Sequence, residues 1–521
     1  MTRGPDARTL RDRVLDPGSW QTWDTPVVVG DVPADYAAEL AHAAERTRQD
    51  ESIITGEGRL RGRRVAVVAG EFGFLAGSIG VAAAERLIAA VERATEEGLP
   101  LLAAPVSGGT RMQEGTVAFL QMIGITAAIA RHKAAGLPYL VYLRNPTFGG
   151  VLASWGSTGH VTIAEPGAAI GFLGPRVYEA LYGEPFPEGV QTAEHLADRG
   201  LIDAVVPHEE IAEVADRALR VLAARQTWHR DVAGAEPPRP EDGTDAGLGD
   251  TDGADHRSAW DVVTASRRED RPGVRRLLRT AATDVVGLSG TGAGEKDPGL
   301  LLALARFGGA PCVVLGQDRR GQSLSAPLGP AALREARRGM RLAAELRLPL
   351  VTLIDTPGAA LSKEAEEGGL AGEIARCLQD LVMLEAPTLA VLLGQGTGGG
   401  ALALVPADRV LAAANGWLGP LPPEGASAIV HRTVDRADEM AAAQGVRATD
   451  LWRAGIVDRV VPERPDAADE PVEFCRRLGR VLGEELANLL GRDDGARFRS
   501  RLHRYRHLGR QVPPPSASPG R

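Results

Sequence analysis

Three stretches from the first half of this 521-residue chain return, in the same order, in the second half. Asn145–Gly174 (NPTFGGVLASWGSTGHVTIAEPGAAIGFLG) is echoed by Ala386–Gly425 (APTLAVLLGQGTGGGALALVPADRVLAAANGWLGPLPPEG), with Gly150 and Gly400 standing 250 residues apart. Leu99–Pro105 (LPLLAAP) matches Leu348–Ile354 (LPLVTLI). Ala193–Pro207 matches Ala448–Pro462, and the two prolines are 255 residues apart. Matches in fixed order at a nearly constant offset predict a duplicated domain, and so long a period means two copies of one fold rather than a solenoid.

Each copy reads as alternating strand, turn and helix, which predicts an α/β class. In the first copy, Arg11–Val29 is an entry arm carrying Trp20 and Trp23, and Ala37–Arg48 is a helix. Arg64–Ala69 is a buried strand, followed by a Gly-rich turn over Gly70–Gly80. Val81–Glu97 and Gln113–Ala135 are helices by their apolar spacing, and Pro138–Leu143 and Val161–Ala164 are strands. Ala233–Ser258 has almost no large apolar residue and many Pro, Gly and Asp, so it reads as a solvated linker. In the second copy Ala331–Leu346 is a basic amphipathic helix and Val351–Ile354 a strand. The Arg-rich, then Pro/Ser-rich stretch Arg492–Arg521 reads as a frayed end.

Composition excludes several classes. A net charge of −9 argues against a general nucleic-acid surface. No apolar run is long enough to cross a bilayer, and the first residues have no apolar core of a secretory signal. Cys312, Cys377 and Cys475 are too far apart to imply a zinc site or a disulfide framework, so no metal is expected and a reducing cytoplasm is the expected compartment.

The chemistry must therefore sit in the glycine turns. Gly149-Gly150 and Gly399-Gly400 follow strand-like runs, where bare backbone lets N–H groups approach a ligand oxygen that a Cβ would block. Neither setting has a well-placed His, Cys or Lys, which leaves backbone amides acting as oxyanion holes. The bland reading, tight strand-to-helix turns, weakens when the pairs recur in two copies. Other motifs fail. Gly394–Gly399 fits G-x-G-x-x-G but meets Pro406 within two turns and lacks the strand-end acid a ribose needs. Asp355–Gly358 resembles a GTPase DxxG, yet its nearest P-loop candidate, Gly290–Asp297, breaks the Gly-Lys-Ser/Thr order. Ser107 and Ser427 lack the G-x-S-x-G register and a His partner. His132 and His195 read as surface or core-edge residues of helices.

Ser107–Gly115 (SGGTRMQEG), the Asn145–Arg176 stretch and Pro187-Glu188-Gly189 closely resemble the β subunit of bacterial acetyl-CoA carboxylase carboxyltransferase. Phe307–Gly309, Leu350–Ala359 (LVTLIDTPGA), Ala365–Ile374 (AEEGGLAGEI), Gln395–Leu402 (QGTGGGAL) and Pro422–Ser427 (PPEGAS) resemble its α subunit. The resemblance implies two crotonase-like (ClpP/crotonase) ββα-spiral domains in tandem. A β-like domain would span 1–232, a linker 233–258, an α-like domain 259–490 and a basic Pro/Ser-rich tail 491–521.

The implied activity is transfer of the carboxyl group from carboxybiotin to acetyl-CoA, giving malonyl-CoA for fatty acid synthesis. In that mechanism biotin accepts the substrate's α-proton, so no protein base is required. Gly149 and Gly150 would hold the thioester oxygen, and Gly399 and Gly400 the ureido oxygen of biotin. Ser107, Gly108, Gly109, Gly171, Gly174, Arg176, Pro357 and Gly358 would contact substrate, Arg176 through the CoA phosphates; a surface salt bridge is the competing reading for Arg176. There is no Met-Lys-Met biotinylation motif and no ATP-binding signature, so a biotin carboxyl carrier protein and a biotin carboxylase are implied as partners, together with a homo-oligomer in which the first domain of one chain meets the second of another.

Departures from the family pattern leave other readings open. No cysteine precedes Cys312, so the family's zinc ribbon is missing. Phe148 stands where a small or polar residue is common, and Gly398 replaces a serine. Propionyl-CoA or a longer acyl-CoA, a biotin-independent malonyl-thioester decarboxylase, and an inactive scaffold are the alternatives. A crotonase-type hydratase would need paired acids, for which Glu114, Glu165 and Glu188 are the candidates.

Overall fold

The computed structural model describes residues 5–27, 32–224, 257–323 and 327–507. The expected linker, 233–258, lies outside the described residues except for its last two positions.

Two seven-stranded sheets carry the fold. The first contains β1 (Gln21–Thr22), β2 (Ile53–Leu60), β3 (Arg63–Gly70), β4 (Leu101–Ala104), β5 (Tyr139–Leu143), β7 (Val161–Ala164) and β9 (Ala204–Val205), in that order. Between these in sequence, β6 (Thr147–Phe148) and β8 (Ile170–Gly171) pair with each other as a separate ribbon. The second sheet contains β10 (Thr283–Leu288), β11 (Leu300–Phe307), β12 (Ala310–Gln317), β13 (Leu350–Thr356), β14 (Thr388–Gly396), β15 (Arg409–Ala413) and β16 (Arg459–Val461). In both sheets the first two pairings are antiparallel and the rest parallel. The duplication read from sequence is therefore a duplication of topology.

The parallel strands are buried on both faces, as crossover helices require: every residue of β4, β5, β12 and β13 is buried. One apolar layer lies between the two sheets. It joins Leu102, Leu140 and Ile163 of the first to Leu302, Leu315, Leu350 and Ala390 of the second. The helix Ile211–Leu222 closes the first half and contributes Ile211, Leu219 and Leu222 to this same layer. Charged contacts pin the halves at its edge. Arg338 Nη2 binds both oxygens of Asp203 (2.8 and 3.1 Å), and Asp203 also accepts the Ser289 N–H at 3.0 Å. His160 Nε2 meets Glu345 at 3.0 Å.

Two expectations fail. Of the stretch Arg492–Arg521, read as a frayed end, Asp494–His507 is a helix, and 508–521 lie outside the described residues. Arg497 and Arg501 are buried and share Asp408, at 2.7 Å and at 2.8 and 3.0 Å. Their neutralising partner lies about ninety residues upstream, so a local reading sees only solvated charge. His132 is fully buried rather than peripheral. Thr95 Oγ1 lies 3.0 Å from Nδ1 and Pro138 O 3.3 Å from Nε2. Burial pushes its pKa down to about 4, so the ring is neutral at pH 7.

Candidate functional site

After β5 the chain reaches the first glycine turn through β6, which pairs in parallel with β8. Gly149 turns the backbone at φ +68°, a conformation a side chain resists, and its N–H donates to Gly171 O and Phe172 O (3.2 and 3.1 Å). Gly150 then opens a helical run that ends in a π-type segment, Leu152–Gly156. As the first helical residue it has no acceptor for its N–H within the helix. Ser154 Oγ donates to Gly150 O at 2.5 Å.

Ser107, Gly108 and Gly109 come beside this turn. Ser107 O accepts the Phe148 N–H at 2.9 Å. Its Oγ accepts the Gly109 N–H (2.9 Å) and donates to Gly109 O (3.1 Å). A Cβ on Gly149 would lie 3.4 Å from Gly109 Cα, and one on Gly150 would lie 3.3 Å from Met122 Cγ. The loop is anchored from below by buried Arg111, which binds Glu51 at 2.8 and 2.5 Å. Gly171 accepts the turn's amide, and Gly174 precedes the helix Pro175–Tyr182 with open space around it. Arg176 lies on that helix, and its side chain is outside the described set.

The second turn repeats this geometry. Thr356 Oγ1 accepts the Gly358 N–H and donates to Gly358 O, both at 3.1 Å, with Pro357 between. Gly109 and Gly358 share a positive φ, +122° and +136°. Gly398 turns at φ +62° and donates its N–H to Gly419 O at 3.0 Å. The helix Gly398–Leu402 follows, and its first intrahelical bond is Ala401 N–H to Thr397 O, so Gly399 and Gly400 have no helical acceptor. Thr397, in the position of Phe148, buries its Oγ1 without a partner.

The structural match is thus Gly149 with Gly398 and Gly150 with Gly399. The sequence pairing of Gly150 with Gly400 is one residue out of step. Within the first pair, Gly149 spends its amide on the turn and Gly150 is the one left with an N–H to offer. The acids near the turns are committed to backbone. Asp355 Oδ1 accepts the Gln395 N–H at 3.0 Å, Glu165 Oε2 the Asn145 N–H at 3.0 Å, and Glu114 Oε2 the Val81 N–H at 2.6 Å. Glu188 is exposed. None is placed as a general base pair. Among the described residues no cluster could hold a metal ion. The cysteines are free and buried, and burial raises Cys377 to about 12 and Cys475 to about 11. No helix among the described residues is long and apolar enough to cross a membrane.

Residues that sequence reasoning missed include Gln317, which reaches the second turn from the end of β12, and Met122, which backs Gly150. Neither carries a motif; Gln317 is found only by where its strand ends, and Met122 only by which face of the helix Gly115–Ala134 packs on the turn.

A family model described as the carboxyl transferase domain matches residues 8–490. The Mycobacterium tuberculosis protein named "Probable biotin-dependent acyl-coenzyme A carboxylase beta3 subunit" is 61% identical over 500 residues, covering 96% of this chain and 98% of that one. The Salinispora tropica protein named acetyl-coenzyme A carboxylase carboxyl transferase subunits beta/alpha is 36% identical over 517 residues, covering 97% and 90%. Among solved structures, the transcarboxylase 12S hexamer core superposes with a TM-score of 0.68 at 22% identity, covering 91% of this chain and 89% of that one. The tandem crotonase-like α/β fold is the fold of this chain.

Proposed function

The chain belongs to the carboxyl transferase family, and from that premise we propose that it is the carboxyltransferase component of a biotin-dependent acyl-CoA carboxylase, acting on acetyl-CoA to give malonyl-CoA. The observation that carries the reading is the repeated turn with unspent amides. Carboxyl transfer between a ureido nitrogen and a thioester α-carbon develops charge on two oxygens, and preformed backbone donors are what such charge needs. Gly150 receives the thioester oxygen. Gly399 and Gly400 receive the ureido oxygen of biotin on a carrier protein, and carboxybiotin supplies the carboxyl group. Ser107–Gly109 and Gly171 wall the first turn, Gly174 leaves open space on the substrate side, and Pro357–Gly358 wall the second. Among the described residues the acids beside the turns are bound to backbone amides, which agrees with chemistry that takes no proton onto the protein.

Exposed apolar side chains occur in both halves. Met112, Phe119, Leu120 and Ile123 belong to the first half, and Leu361, Leu402 and Ile429 to the second. Surface of this kind marks a partner, and we read it as the contact with a second copy of the chain. A biotin carboxylase and a carrier protein complete the assembly. The second reading is a propionyl-CoA or longer acyl-CoA substrate, since the relative at 61% identity is named for acyl-coenzyme A without specifying acetyl.

Incubating the purified chain with malonyl-CoA or methylmalonyl-CoA, with and without free biotin, tests this. Biotin-dependent release of acetyl-CoA, faster than release of propionyl-CoA, is expected. Faster propionyl-CoA release moves the substrate, biotin-independent release favours the decarboxylase, and no release from either substrate sinks the reading.

A further inference from the structure

Gln317 is the last residue of β12 and is completely buried. Its Nε2 donates to Gly400 O at 2.7 Å, and its Oε1 accepts the Asp355 N–H at 3.2 Å. Asp355 in turn accepts the Gln395 N–H at 3.0 Å. A run of polar contacts therefore crosses the ends of β12, β13 and β14 and finishes on the peptide of Gly400. There is no slack on the other side, since a Cβ on Gly400 would lie 3.2 Å from Ala359 N.

The fold alone does not demand this arrangement. Val313 pairs with Leu350 as Ala66 pairs with Leu101, so the residue of the first half in register with Gln317 is Gly70, which has no side chain to reach its turn. There the carbonyl of Val151, the counterpart of Gly400, is met locally, by Ser154 Oγ at 3.5 Å. A buried primary amide costs free energy unless both its ends are hydrogen-bonded, and here one end is used on the turn and the other on the strand beside it.

We propose that Gln317 is the positioning residue of the second turn. By fixing the Gly400 carbonyl it pins the Gly400–Ala401 peptide, and through that anchored plane steadies the preceding peptides whose Gly399 and Gly400 amides meet the ureido oxygen. The assignment rests on the carboxyltransferase reading above. A carboxamide is suited to the task because it donates and accepts at once, without charge.

The test uses full-length Gln317→Met and Gln317→Glu in the biotin-dependent release of acetyl-CoA from malonyl-CoA. Gln317→Met keeps the volume and loses both bonds. Its kcat should fall by roughly ten- to a hundredfold, as small misplacements of catalytic groups do, while the KM for malonyl-CoA stays within about twofold. Gln317→Glu should regain rate as pH falls, because a protonated carboxyl can donate to Gly400 O and a carboxylate cannot; wild type and Gln317→Met should show no such rise. Wild-type rate in Gln317→Met overturns the proposal. So does a Gln317→Glu profile that is flat with pH, and that profile decides alone if Gln317→Met fails to fold. If the wild-type chain itself shows no biotin-dependent release, the carboxyltransferase reading fails first and takes this one with it.

Discussion

In the first half Gly149 turns at φ +68° and gives its N–H to Gly171; in the second Gly398 turns at +62° and gives its N–H to Gly419. Away from the turns the halves differ. His160 accepts the Tyr139 N–H at 2.9 Å, and Asp408 accepts the Thr388 N–H at 2.8 Å in the equivalent place. His160 is covered by Glu345, from the helix Pro330–Leu346 of the second half. Asp408 has no third half to cover it, and the C-terminal helix does so with Arg497 and Arg501. The same helix supplies Arg504 to Asp458 at 2.7 Å, as the helix of the second half supplies Arg338 to Asp203. Duplication kept the turns, where the chemistry is read to lie, and let the outer contacts change with whatever stands next in the chain.

Substitutions can break that comparison. Asp408→Asn takes the carboxylate from buried Arg501 and leaves buried Arg497 only Asp494, at 3.1 Å, and should cost about 3–5 kcal/mol in chemical denaturation. An Asp408→Asn midpoint equal to wild type would mean the C-terminal helix is not needed as a cap.

His132 sharpens it. The residue equally spaced along the second half is Leu381, also fully buried. Burial pushes the folded His132 pKa down from its ordinary value near 6.5 to about 4. Between those values the unfolded chain takes up a proton that the fold refuses, so stability should fall as pH drops from about 6.5 to about 4, by up to about 3 kcal/mol. His132→Leu should flatten that slope, measured as denaturation midpoints across the window.

Smaller effects follow at the turns and at the first cap. Gly149→Ala and Gly398→Ala should each cost about 1–2 kcal/mol for forcing a Cβ into the left-handed region, and equal costs would support their equivalence. His160→Asn should cost only about 1 kcal/mol, the worth of one hydrogen bond, because Glu345 keeps Lys133 at 3.2 Å.

Much of this was legible in the sequence. Val161–Ala164 was placed to the residue, and Arg64–Ala69, Val81–Glu97 and Ala331–Leu346 to within a residue or two, because their apolar spacing is regular. The turns were legible as glycine pairs after strands. Their register was not, since Gly398-Gly399-Gly400 offers no side chain to align and the register is set by pairing with Gly419, about twenty residues on. The C-terminal helix was missed for a related reason: its arginines are neutralised from far along the chain. His132 was misplaced because a titratable ring reads as polar, whereas here both nitrogens have partners inside the fold.

The central claim is that both turns act through backbone amides, with Gly399 the counterpart of Gly150. A Cβ at Gly399 would meet the flexible end of Ile374, and one at Gly150 that of Met122, so at both sites the first atom added displaces a side chain rather than backbone. The most direct measurement is the biotin-dependent turnover of malonyl-CoA by Gly150→Val and Gly399→Val, with far-UV circular dichroism and thermal midpoints alongside. The account predicts that each variant stays folded and loses at least about a hundredfold in rate, the scale of losing one oxyanion donor. A folded Gly150→Val or Gly399→Val that turns over at the wild-type rate would contradict it.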